Sequence, residues 1–269
     1  METMKLLVSG VLAAATLSAC APNNNNGTVN ADNNAQIIGG EEVKTGSRVM
    51  RATVGLYDTK VGALCSGTLI ADNIVLTAAH CVGPNPKAMM VFFTGNVEKA
   101  KKDQVRIVDA AIVNKDYDSK RSQNAGDIAL IRFAGTAPAS YTPAKILKNS
   151  GSLREGTTTV VAGYGLNRSW VVKSGAGVLR TTTLTIANPD FTATETSLNN
   201  TWKRGVCSGD SGGPAYLDVN GELQVWGVAS KSDALPSRLT PDCFLMSIYT
   251  RADIYAKWIA DNMADLKAK

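Results

Sequence analysis

Short runs rich in β-branched and aromatic residues recur along this chain, and Gly, Asn, Asp or Pro separates them at short intervals. Residues 90–93, 105–108, 157–161 and 224–229 are clear cases. Such runs suit a pleated, half-buried surface, and the turn residues between them reverse the chain. Many short strands predict an all-β fold, and 269 residues are enough to bury a large core. No period of 20 to 50 residues points to a solenoid. The pattern changes near the C-terminus. Over residues 251–267, Ile254, Trp258, Ile259, Met263 and Leu266 fall on one helical face, which predicts a packing helix that closes the fold.

Residues 1–20 read as an export leader. Lys5 precedes an apolar stretch of about 12 residues, too short to span a bilayer. The stretch ends in Leu17-Ser18-Ala19-Cys20, which resembles a bacterial lipobox. On that resemblance Cys20 is acylated and becomes the mature N-terminal residue of an outer-membrane lipoprotein. The alternative is an ordinary secretory leader cut near Ala19 or Ala21. Residues 21–36 hold no aromatic residue and almost no apolar content, so they read as a flexible tether and pro-segment. The net charge is +5 without a basic tract, because Asp103 ends the short run Lys99-Ala100-Lys101-Lys102. That run reads as a solvated loop, and nothing points to nucleic acid. A monomer is expected, with membrane attachment only through lipid on Cys20.

The chain has five cysteines. With Cys20 assigned to the leader, four remain for an oxidising compartment, and two disulfides are expected with three pairings open. One histidine and cysteines committed to disulfides leave no transition-metal ligand set, and no cofactor is expected.

That single histidine, His80, sits in Leu76-Thr77-Ala78-Ala79-His80-Cys81. An imidazole ordinarily titrates near neutral pH and is the usual general base. Far downstream, Gly209-Asp210-Ser211-Gly212-Gly213-Pro214 places a serine between glycines. A serine hydroxyl becomes a useful nucleophile only when a base takes its proton. Between the two lies Gly126-Asp127-Ile128-Ala129-Leu130, an acid leading an apolar run. Base, acid and nucleophile thus occur in the order His, Asp, Ser.

With these residues in place, the chain resembles the chymotrypsin/trypsin-like serine peptidases. The matching segments are Ile37-Ile38-Gly39-Gly40, Cys65-Ser66-Gly67-Thr68-Leu69, residues 76–81, Asp127-Ile128-Ala129-Leu130, residues 207–214 and Ser247-Ile248-Tyr249-Thr250. They run in family order over residues 37–267. The resemblance implies two six-stranded antiparallel β-barrels and a C-terminal helix within a peptidase domain of residues 37–269. The boundary between barrels is expected near residues 136–148, and the site in the crevice between them. It selects the disulfides Cys65–Cys81 and Cys207–Cys243. It implies an exported endopeptidase acting on polypeptides through an acyl-enzyme on Ser211, with His80 as base and Asp127 holding the imidazole. The amides of Gly209 and Ser211 would form the oxyanion hole. Activity is expected to rise with pH as the imidazole loses its proton.

The resemblance further implies a zymogen. Cleavage before Ile37 would free an α-ammonium that folds inward to pair with Asp210. Gln36 precedes that bond, where trypsin-like relatives carry a basic residue, so another protease or the enzyme itself would make the cut. Gly205 falls at the base of the primary pocket, and Val206 adds an apolar wall. Ser230 would steady Asp127, and Ser232 and Ser247 would line the pocket. Lys231 replaces the usual aromatic residue. Without an anion at Gly205, preference for neutral, small to medium side chains is expected rather than for Arg or Lys, unless Asp233 or Asp242 reaches in. A catalytically inactive binding module on the same scaffold is the alternative. Retention of His80, Asp127 and Ser211 argues for the enzyme.

Overall fold

The computed structural model describes residues 37–167, 174–201, 204–233, 243 and 245–268. The leader, the tether and Cys20 lie outside the described residues, as does Asp242, and nothing is stated of the Asp233 side chain. All described residues fall in one compact unit, Asn34–Lys269.

β1 (Glu41–Glu42) precedes a short helix, α1 (Arg48–Ala52), which starts where Ser47 Oγ accepts the Met50 NH as an N-cap. Six strands follow: β2 (Thr53–Asp58), β3 (Ala63–Ala71), β4 (Ile74–Thr77), β5 (Met89–Phe92), β6 (Val105–Val113) and β7 (Ala129–Phe133). They close a barrel in the order β2-β3-β4-β7-β6-β5 through antiparallel pairs. Closure leaves no bare sheet edge in this half of the molecule. Val54, Leu56, Leu69, Val91, Ile131 and Phe133 fill its interior.

After β8 (Lys145–Ile146) come β9 (Thr158–Gly163), β10 (Arg180–Asn188), β11 (Glu195–Asn199), β12 (Pro214–Val219), β13 (Glu222–Asp233) and β14 (Met246–Arg251). β9 pairs with β10 and β12, β10 with β11, β11 with β14, and β14 with β13, which returns to β12. The circuit is a second six-stranded antiparallel barrel. β1 extends it on β10, and β8 runs parallel beside β13. Trp226 sits in its centre, and its indole NH donates to Thr159 Oγ1 at 2.9 Å.

The closing helix α2 (Ala256–Ala268) buries Ile259 and Leu266, and Arg132 of β7 donates to the Leu266 carbonyl. One expected member of its apolar face is corrected. Ile254 is 46% exposed and lies ahead of the helix, in the turn after β14. Arg251 still belongs to β14, and Asp253 holds its guanidinium at 2.7–2.8 Å, so the chain turns before it coils.

Candidate active site

His80 occupies the 3-10 turn Ala79–Cys81 directly after β4. The disulfide Cys65–Cys81, with Cα atoms 6.1 Å apart, ties that turn to β3. Asp127 lies two residues before β7. Its main chain is set by Gly126 at φ +67°, a left-handed conformation that glycine adopts cheaply. A Cβ at Gly126 would also press on Asn114 Nδ2 at 2.7 Å.

These two elements bring His80 Nδ1 to 2.7 Å from Asp127 Oδ2. An ionised carboxylate only accepts, so Nδ1 carries the proton and Nε2 is the basic nitrogen. The His80 main-chain NH donates to Asp127 Oδ1 at 3.0 Å, and Ser230 Oγ donates to Oδ2 at 2.6 Å. Burial alone would push the Asp127 carboxyl up. The hydrogen bond and charge of His80, then the Ser230 hydroxyl, more than offset this, and the group lies below its ordinary value. Asp127 is therefore a fixed anion spanning both barrels.

Ser211 lies in the turn between the Cys207–Cys243 disulfide and β12. Ser66 of β3 locks this turn across the crevice. Its NH donates to the Ser211 carbonyl at 2.8 Å and its hydroxyl to the Gly209 carbonyl at 2.9 Å. That hydroxyl also accepts the Tyr164 NH at 2.9 Å. On the other side, the Gly212 NH donates to the Ala229 carbonyl at 2.7 Å. A Cβ at Gly212 would strike Thr77 Oγ1 and the Ser66 carbonyl, so the nucleophile turn presses against the end of β4, three residues from His80. Among the described residues no hydrogen bond joins Ser211 to His80. Catalytic contacts of this kind often tighten only when substrate is bound.

Gly209 has φ +95°, and a Cβ there would stand 2.8 Å from the Gly165 Cα. Neither the Gly209 NH nor the Ser211 NH is taken up by a hydrogen bond within the described residues. Asp210 points the other way, into the second barrel. Oδ1 accepts the Gly165 NH at 2.8 Å and Oδ2 the Cys207 NH at 3.0 Å. Burial pushes its carboxyl up to about 7, and the two amides and the charge of buried Arg180 offset this only in part. No ion pair within 4.0 Å reaches Asp210 among the described residues.

Ile37 is 1% exposed and has φ +43°, a conformation that is strained for a β-branched side chain. The next residue, Ile38, bridges to Gly205, whose NH donates to the Ile38 carbonyl at 3.0 Å. The start of the described chain thus runs along the floor of the nucleophile loop.

Beside Ser211 opens a cavity of about 370 Å³ including its mouth. Val206, Ser230, Ser232 and Ser247 line it together with Lys231 and Tyr249, and among the described residues no carboxylate does. Gly205 is not among the lining residues. It lies beneath, where a Cβ would meet the Asn200 side chain at 3.1 Å. Asn200, which the sequence reading missed, braces the lining residue Ser247 from behind. Its Nδ2 donates to the Cys243 carbonyl at 2.9 Å, and its Oδ1 accepts Ser247 Oγ at 2.8 Å. Asn200 sits in an ordinary polar stretch, and nothing local marked it as a support of the pocket wall. Among the described residues, the one cluster of potential metal donors is Cys65, His80 and Cys81. Both thiols are spent in a disulfide, so the set offers an imidazole alone.

A family model described as Trypsin matches residues 37–259. Among known proteins, the chain is 28% identical to urokinase-type plasminogen activator of Gallus gallus, over 85% of this chain and 57% of that protein. It therefore spans little more than half of that relative's length. It is 28% identical to a chymotrypsin of Phaedon cochleariae, over 85% of this chain and 82% of that protein. It is 27% identical to chymotrypsin-like elastase family member 1 of Canis lupus familiaris, over 87% of this chain and 94% of that protein.

Proposed function

Because the chain belongs to the trypsin family and is a serine endopeptidase, we propose that Ser211, His80 and Asp127 carry out its peptide hydrolysis. The supporting observation is the Asp127 carboxylate, which joins His80 Nδ1 from the first barrel and Ser230 from the second. His80 Nε2 takes the Ser211 proton as Oγ attacks the scissile carbonyl carbon. The Gly209 and Ser211 amides receive the developing oxyanion. The imidazolium then returns the proton to the leaving amine, and water hydrolyses the acyl-enzyme by the same route. A fluorophosphonate probe tests the assignment. Labelling confined to Ser211, and lost on blocking His80, is the expected result. If the form cleaved before Ile37 stays unlabelled, the chain is a binding module.

Latency before cleavage is part of this reading. In the uncleaved chain Asp210 is buried and has main-chain NH partners but no ammonium, while Ile37 is held in a strained backbone conformation. Cutting the Gln36–Ile37 bond removes the φ constraint at Ile37 and creates the cation that Asp210 lacks. With lipid on Cys20, the same cut separates the catalytic domain from its anchor, in the oxidising compartment that two disulfides require. N-terminal sequencing of membrane and soluble fractions checks this. Ile37 is expected first in the soluble, active form, and an active membrane form retaining Cys20 is the contrary result.

The pocket supports preference for neutral, small to medium side chains. Its hydroxyls narrow the slot, and a buried Arg or Lys of the substrate would find no carboxylate among the described lining residues. A panel of chromogenic peptides is expected to favour Ala or Val over Arg at the primary position by about 100-fold or more in kcat/KM. Equal or better cleavage after Arg would refute the pocket assignment.

A further inference from the structure

The wall between the barrels contains a buried acid to which the reaction described above gives no task. Glu195, the first residue of β11, is 1% exposed. Its Oε2 accepts the Asn124 NH at 2.8 Å and Thr192 Oγ1 at 3.0 Å. Its Oε1 lies 3.4 Å from Lys231 Nζ, and the same ammonium donates to the Ser122 carbonyl. Asn124 in turn accepts the NH and the hydroxyl of Thr194 on Oδ1, both at 3.1 Å. It sits at φ +49°, a left-handed conformation that Asn tolerates better than most residues.

Glu195 and Lys231 belong to the second barrel, whereas Ser122 and Asn124 lie in the loop between β6 and β7 of the first. A carboxylate and an ammonium therefore grip this loop from across the crevice, three residues before Asp127. Lys231 also follows Ser230, whose hydroxyl rests on Asp127. β13 is bulged between Ala229 and Lys231. A bulge re-aims side chains, which lets two consecutive residues both reach the facing loop.

We infer that Glu195, acting with Lys231, is a positioning residue for catalysis: it pins the 122–124 turn so that Asp127 keeps its place between His80 and Ser230. The inference rests on the proposed roles of His80, Asp127 and Ser211. A buried carboxylate is a poor anchor without partners, and here two neutral donors and one ammonium satisfy it. Misplacing a catalytic group by about 1 Å costs up to about 100-fold in rate.

The chain has one histidine, so the ring-NH proton resonances of a protein without a polyhistidine tag belong to His80 alone. The test compares the form cleaved before Ile37 with its Glu195→Ala, Glu195→Gln and Lys231→Met variants, all prepared by the same cut. Glu195→Ala is expected to move or broaden the downfield Nδ1–H signal and to lower kcat about 10- to 100-fold. The loss should fall on kcat more than on KM, and the split is read on the Glu195 variants because Lys231 itself lines the pocket. Glu195→Gln keeps an acceptor for the Asn124 NH and should lose clearly less. Lys231→Met should shift the same resonance. Variants that melt earlier yet keep the wild-type resonance and kcat would make Glu195 merely structural and overturn the inference. If Glu195→Ala does not fold, Glu195→Gln and Lys231→Met decide on the same two readouts. A cleaved wild-type chain that neither turns over substrate nor labels would sink the proposed catalytic roles instead, while the resonance would still report whether Glu195 sets the His80–Asp127 contact.

Discussion

Replacing Ser211 by Ala is expected to lower turnover about a million-fold under the proposed roles, and His80→Ala nearly as much. The double variant is no worse than either single one, because base and nucleophile act in one step and removing either removes the step. What survives comes from the main-chain donors at Gly209 and Ser211 and from substrate binding. Asp127→Asn is expected to cost about 10,000-fold. The Asp127 carboxylate accepts the His80 ring, the His80 main-chain NH and the Ser230 hydroxyl together. An amide in its place presents an NH2 to one of these donors and turns the imidazole toward the wrong tautomer. No second histidine exists to substitute for the base. The measurement is kcat on a chromogenic peptide with active-site titration of each variant. A Ser211→Ala protein within about 100-fold of wild type would remove Ser211 as nucleophile.

Asp210→Asn is expected to act with opposite signs before and after cleavage of the Gln36–Ile37 bond. In the uncleaved chain the Asp210 carboxyl is pushed up to about 7 by burial. Its unfolded value is near 3.9, so between about pH 4 and pH 7 the folded chain holds more protons than the unfolded one. Stability from this group therefore falls as pH rises through that window, by a few kcal/mol at most, and levels off above it. Asn cannot ionise and should abolish the slope. After cleavage, an ammonium beside the carboxylate favours its charged form. The dependence then reverses, with stability present at neutral pH and lost on acidification. Asp210→Asn in the cleaved form leaves that ammonium buried and unpaired, at about 3–5 kcal/mol. With the ammonium displaced, the oxyanion loop is no longer held, and kcat/KM should drop roughly 100- to 10,000-fold. Urea denaturation at pH 4.5 and 8 on both forms gives the slopes. Identical slopes for uncleaved wild type and uncleaved Asp210→Asn would mean that Asp210 is not the group behind the pH dependence.

Local pattern revealed the strands well, because a β-branched run between turn residues reports its own conformation. Residues 224–229 became the middle of β13 and residues 157–161 most of β9. The helix face was legible as far as Trp258, Ile259, Met263 and Leu266. Ile254 misled because Arg251 and Asp253 pair two residues apart and hold the chain in a turn there. His80, Asp127 and Ser211 stood out because their chemistry and order are unusual. Ser66, Asn200 and Glu195 did not, since each is an ordinary polar residue whose partners lie 143, 47 and 71 positions away for the Gly209, Ser247 and Asn124 contacts. Such contacts arise only when the barrels close and meet. Lys231 gave a faint signal, as a charge where the resemblance implied an aromatic ring, but its partner Glu195 was invisible until β11 had been laid beside β14.

The bridge between Ile38 and Gly205 couples two properties that are usually considered apart. On the proposed activation, one short stretch of backbone both runs beside Gly205 and would carry the new amino group toward Asp210. Any drift in sequence that reshapes the base of the slot also alters how readily that stretch seats itself, and with it the ratio of dormant to working enzyme. Selection on side-chain preference and selection on timing would then draw on the same few atoms, and a lineage that changes one must retune the other.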